Sequence, residues 1–121
     1  MKVTRRLAQA ALGVPFIWLG YEAASEPGGR VGAAEQLGIP SAETAVRFNG
    51  AAMVAGGAAL VANVLPRAAA AGLIVSLVPT TLAGHAFWKM DPSDPARTVQ
   101  RIQVLKNLAL TGALAEVALH R

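Results

Sequence analysis

The sequence predicts an all-α integral membrane protein, a four-helix bundle with up-down-up-down connectivity. Three observations predict it. Between Phe48 and Trp88 the only formally charged residue is Arg67, beside Pro66. The apolar runs on either side, Phe48–Leu65 and Ala68–Trp88, approach the ~20 residues that a helix needs to cross a ~30 Å hydrocarbon core. Hydrophobic residues make up 54% of the 121-residue chain and charged residues 15%, against about 25% charged in ordinary soluble domains. Finally, the polar, Pro- and Gly-bearing stretches fall between the apolar runs, near 25–46 and 89–97.

A chain of this length forms one domain, and each element has its own signal. The first helix is expected at about 6–24, with Pro15 kinking it, which membrane helices tolerate when neighbours satisfy the freed carbonyl. Lys2, Arg5 and Arg6 before this apolar run resemble the start of a signal peptide, with Ala23-Ala24-Ser25 resembling a cleavage site. The segment is read here as a retained anchor helix. Glu26-Pro27-Gly28-Gly29 opens a polar linker over 25–46, within which Val31–Leu37 suits a short interfacial helix. The second helix is expected at about 47–65 and the third at about 68–88. Pro66-Arg67 is read as the tight turn between them, because proline is excluded from a helix interior. Asp91-Pro92 and Asp94-Pro95 mark a second polar loop, since the residue before each proline is pushed out of helical space. The fourth helix is expected at about 98–119.

A soluble Ala-rich bundle would need a polar face on each helix, and Ala51–Val61 and Ala68–Val78 offer almost none. Small-residue pairs such as Ala52 with Gly56, and Gly112 with Glu116 between Ala109 and Ala113, predict close helix packing. The formal net charge is +4, yet the basic residues form no face and few aromatics accompany them, so nucleic acid is not an expected partner. Cysteine is absent, which excludes thiolate metal sites and thiol relays within this chain. Four spans put Lys2, Arg5, Arg6, Arg67 and Arg121 on one side. That dense positive N-terminus predicts cytoplasmic termini in a bacterial-type cell membrane.

Polar groups in hydrocarbon are costly and normally face protein or water. All four expected helices bring theirs to the half of the bilayer opposite the termini, the outer half. Glu22 ends the first, Arg47 and Asn49 begin the second, and Thr81, His85 and Trp88 share a face at the end of the third. The fourth carries a stripe of Gln100, Gln103, Asn107 and Thr111, with Lys106 beside it. The candidate ligand-binding set is therefore His85, Lys106 and Asn107, with Trp88, Asn49, and Glu22 and Arg47 as counter-charges. Lys106 is expected either to snorkel outward or to pair with Glu22. Equally, these groups could bond one another and fix the bundle. No metal site is expected, because His85 and His120 fall at opposite ends of the bundle and no carboxylate–histidine ligand spacing is present. Ser76 is too far from His85 for a hydrolytic triad, and the middle of the bilayer lacks the polar path of a transporter.

Arg47-Phe48-Asn49-Gly50, Val78-Pro79-Thr80-Thr81, His85-Ala86-Phe87-Trp88 and Lys106-Asn107-Leu108-Ala109-Leu110, with the Pro66-Arg67 turn, resemble the DoxX family over almost the whole chain. The resemblance implies a small four-helix membrane protein, in a family named for a subunit of a quinone-linked oxidoreductase. It leads to the expectation of a redox-associated accessory subunit with no intrinsic cofactor, whose outer-half polar pocket takes a quinone or similar lipid-soluble ligand. His85 or Lys106 would donate to a carbonyl oxygen, Asn107 would orient it, and Trp88 or Phe87 would stack on the ring. Electrons would come from a partner, a larger redox membrane complex. The alternative is a purely structural subunit of a larger membrane complex, or a homo-oligomer, without ligand chemistry. Catalysis by the chain alone is not expected.

Overall fold

A computed structural model describes residues 2–121 and is all-helical. The elements are α1 (Lys2–Ser25), α2 (Gly29–Gln36), α3 (Ala42–Ala62), α4 (Pro66–Gly84), a 3-10 turn (Phe87–Lys89) and α5 (Ala96–His120). Three stretches are long and apolar enough to cross a membrane: Ala42–Ala62, Pro66–Lys89 and Ala96–His120. α1 has the length, at 24 residues, but it opens on Lys2, Arg5 and Arg6. Phe48, Val75 and Leu108 project from the outer faces, each exposed, as a hydrocarbon surround would require.

The helix ends differ from those expected, and local chemistry explains each difference. The turn between α3 and α4 is Asn63-Val64-Leu65, not Pro66-Arg67. Asn63 takes the left-handed conformation (φ 59°) at the end of α3, which its short polar side chain tolerates. Pro66 is the first residue of α4, where a missing N–H costs nothing and its fixed φ suits the helix. α3 also begins five residues before Arg47. α4 stops at Gly84, so Thr81, His85 and Trp88 do not share one helical face: His85 is the C-cap and Trp88 lies in the 3-10 turn. α2 closes with a Schellman arrangement in which Gly38 N–H donates to Glu35 O at 2.9 Å and Ile39 N–H to Ala34 O at 3.2 Å. Gly38 supplies the positive φ (77°) this needs.

The long helices pair antiparallel, and the closest pair is α1 with α3. A Cβ added to Gly13 would lie 2.5 Å from the Gly57 carbonyl oxygen, and one on Gly20 would lie 2.6 Å from that of Gly50. The reciprocal distances are the same to within 0.1 Å. Two glycines spaced by two helical turns thus meet two more on the partner, and only the absence of side chains lets the backbones touch. The small residues singled out from sequence do less. Gly56 leaves room for Leu73 of α4, and nothing lies near a Cβ on Gly112.

α4 packs on α3 and on α5, whereas α1 and α5 touch only lightly. The core lies in the half of the bundle that holds the termini: Phe16, Leu60, Leu73, Leu114 and Val117 are each at most 3% exposed. Gln9, unremarked in the sequence, is also buried there. Its Nε2 donates to Leu60 O at 2.9 Å and to Asn63 Oδ1 at 2.8 Å, fastening α1 to the α3–α4 turn. Arg67 Nε donates to Ala118 O at 3.0 Å, tying the start of α4 to the end of α5.

Candidate functional site

The opposite half of the bundle is open. A cavity of about 750 Å³ lies there, lined by all five helices, a volume typical of small-molecule sites. Its floor is the top of the core: Phe16 of α1, Met53 of α3, Leu77 of α4 and Leu110 of α5. Both interior prolines, Pro15 and Pro79, stand in its wall. Each removes a helical hydrogen bond and pushes against the preceding turn, which suits a region where helices part. Its roof is α2, through Arg30, Ala33, Ala34 and Leu37. A smaller cavity of about 410 Å³ shares Ala33, Leu37, Ala83 and Gly84 with it and reaches to Lys89 and Met90. α2 therefore partitions two spaces.

Four of the seven candidate residues line the main cavity: Asn49, His85, Lys106 and Asn107. Three do not. Glu22 accepts from Trp18 Nε1 at 3.1 Å and faces Arg30 at 3.9 Å, so it is not the partner of Lys106. Arg47 lies one turn inside α3, which starts earlier than expected. From there it donates to Ala24 O at 2.6 Å and Ser25 O at 3.2 Å and pairs with Glu43 at 3.2 Å, capping the end of α1. Trp88 packs edge-on against Phe87, with ring centroids 5.4 Å apart, because α4 has ended before it. Phe87 in turn lies under the Arg97 guanidinium at 5.3 Å. The aromatic ring in the cavity wall is Phe16, which no polar pattern in α1 singled out.

Most polar groups at the cavity are paired across helix interfaces. Asn107 Nδ2 donates to Thr81 Oγ1 at 2.9 Å, and Thr81 Oγ1 donates to Leu77 O at 2.7 Å. Ser76 Oγ donates to Asn49 Oδ1 at 2.8 Å. His85 Nδ1 meets Gln100 Oε1. Lys106 differs. It sits ten residues into α5, about 15 Å along the axis at 1.5 Å per residue. Among the described residues no carboxylate lies in ion-pair range of it. No group of three or more His, Asp or Glu that could hold a metal is found among the described residues.

Beyond the membrane surface, the 89–96 loop is held by its own acids. Ser93 donates to Asp91 Oδ1 through its backbone N–H at 2.9 Å and its hydroxyl at 2.7 Å, and these bonds hold the Asp91 carboxyl below the usual carboxylate range. Asp94 Oδ1 accepts from Ala96 N–H at 2.9 Å at the start of α5.

The DoxX family model matches residues 6–86, about two thirds of the chain, from within α1 to just past His85. Lys106 and Asn107 lie outside the matched span. No curated protein and no solved structure matches the chain.

Proposed function

This chain belongs to the DoxX family of membrane proteins, and from that premise we propose that it is a redox-associated accessory subunit whose cavity receives a quinone or similar lipid-soluble ligand. In this proposal α1 crosses the bilayer with α3, α4 and α5 as an up-down-up-down bundle. The termini are cytoplasmic and the cavity lies in the outer half. One observation carries the proposal: a cavity of about 750 Å³ has an apolar floor and a wall bearing His85, Lys106 and Asn107. Lys106 is the donor to a quinone oxygen, where it favours the charge that grows on reduction. His85, held at Nδ1 by Gln100, presents its other ring nitrogen to the ligand. The sequence alone had suggested either residue as the donor. Phe16, rather than Trp88, flanks the ring. Electrons come from and go to a partner protein, so the chain positions the ligand and leaves the redox centre to another subunit.

The scaffold alternative draws on a specific observation as well. Asn107–Thr81, Asn49–Ser76 and His85–Gln100 each close between helices, as a purely structural network would. Co-purification decides between them. Protein extracted in native lipid is analysed by mass spectrometry for bound small molecules, with the His85→Ala, Lys106→Ala double variant as control. Stoichiometric quinone in the parent that is absent from the double variant supports the ligand site. A stable partner chain without any small molecule supports the scaffold and ends the quinone proposal.

A further inference from the structure

The charges around the cavity are one-sided. Arg30 and Lys106 line it, and no Asp or Glu does among the described residues. Arg30, on the roof, has Glu22 at 3.9 Å as a counter-charge. Lys106 has none. Of the other polar groups of the wall, His85 meets Gln100, Asn107 bonds Thr81 and Asn49 bonds Ser76, while Gln103 carries no charge to set against Lys106. Lys106, an exposed side chain of the wall, is thus the one charged donor lining the cavity without a counter-charge, above a floor of Phe16, Met53, Leu77 and Leu110.

An ionisable residue at membrane depth without an internal partner is costly, and such residues mark functional sites. What offsets the cost here must bring a negative charge and tolerate an apolar surround. A small inorganic anion brings the charge and would itself have to be stripped of water against Phe16 and Leu110. A neutral ring tolerates the surround and leaves the charge uncompensated. An amphiphile with an ionised oxygen head and one apolar tail meets both demands. Its route is also present: α1 and α5 both line the cavity yet touch only lightly, leaving the bundle weakly closed along the side where a lipid-soluble acid approaches.

We infer that the cavity selects anionic single-chain amphiphiles of the long-chain carboxylate type, with Lys106 binding the carboxylate and the tail lying over the Phe16–Leu110 floor. This inference rests on the proposal that the cavity holds a ligand and assigns the charge of that ligand; it does not require a quinone.

The test compares oleate with oleyl alcohol, which share a chain and differ in the head, on the full-length purified protein held in amphipol. Binding of each is measured by equilibrium dialysis with radiolabelled probe. Oleate is expected to bind one per chain and about tenfold or more tightly than the alcohol, as a charge-assisted hydrogen bond adds over a neutral one. Lys106→Met should remove that advantage, so that the variant binds the two probes alike, and a detergent-unfolding midpoint at or above the parent's shows that the variant is folded. Lys106→Arg should retain most of it. Equal binding of the two probes, an oleate preference that survives Lys106→Met, or displacement of oleate by phosphatidylglycerol at lower concentration overturns the inference. Decylubiquinone is titrated in parallel. Quinone binding without oleate binding overturns the inference and leaves the proposed function standing, while Lys106-dependent oleate binding without quinone binding does the reverse. Failure of all probes to bind overturns both.

Discussion

In the half of the bundle that holds the termini, Leu60, Leu73, Leu114 and Val117 close on one another and are at most 2% exposed. In the other half the same helices stand around a cavity of about 750 Å³. The side chains available to the two halves are not very different, since both are rich in Ala, Gly and Leu. What differs is what sits between the helices. Toward the termini, Gln9 and Arg67 each donate to a carbonyl on another helix, and branched side chains fill the centre. Toward the loops, Pro15 and Pro79 interrupt two of the walls, α2 with its small residues roofs the space, and bonded polar pairs line it. Packing in a membrane gains nothing from expelling water, so a well-filled half comes from van der Waals fit and an open half persists where that fit is interrupted.

Substitutions can break this contrast, starting with the contact that spans both halves. Gly57→Leu puts a side chain where a Cβ already meets the Gly13 oxygen at 2.6 Å. α1 must leave α3, with an expected loss of about 3 kcal/mol or more, read as a failure to isolate folded protein or a collapse of its detergent-unfolding midpoint. Leu114→Ala empties part of the filled half and should cost roughly 2–5 kcal/mol in the same assay. In the open half, Asn107→Ala breaks the bond to Thr81 at a cost of about 0.6 kcal/mol, the usual worth of an interhelical hydrogen bond in a membrane. If Asn107→Ala proved as damaging as Leu114→Ala, the polar groups would be holding the bundle together, as the scaffold alternative requires.

The smallest effect lies in the 89–96 loop. The Asp91 carboxyl is held below its ordinary range by Ser93, so it contributes stability above that ordinary range and loses it as pH falls through the lowered value. Asp91→Asn should flatten this part of the acid limb and leave the neutral midpoint almost unchanged. Hydrogen exchange of the Ser93 amide would report it.

Much of this was legible in the chain. The single charge between Phe48 and Trp88 marked the apolar helices, and four residues expected at similar depth along them, Asn49, His85, Lys106 and Asn107, all line the cavity. Depth along a helix is additive in residue number, so sequence alone can estimate it. Which faces meet is not additive. The match of Gly13 and Gly20 with Gly57 and Gly50 depends on how α1 docks, and neither helix's spacing announces its partner. Arg47 and Trp88 were misplaced for a related reason. An earlier start of α3 and the early end of α4 at Gly84 changed where those side chains point, and a helix end is decided by local caps such as Asn63 and Pro66. A short helix was expected at Val31–Leu37, but its place as the roof was out of reach because that depends on how the linker folds back over the bundle.

The central claim is that the half away from the termini is a site and not a packing fault. The most direct measurement fills it. Ala83→Phe places a ring in the wall shared by both cavities, and native mass spectrometry counts decylubiquinone and oleate retained by the parent and by the variant. One retained ligand in the parent, none in Ala83→Phe, and an unfolding midpoint equal to or above the parent's is the predicted result. A parent that retains neither ligand, or a variant that retains as much as the parent, would contradict it.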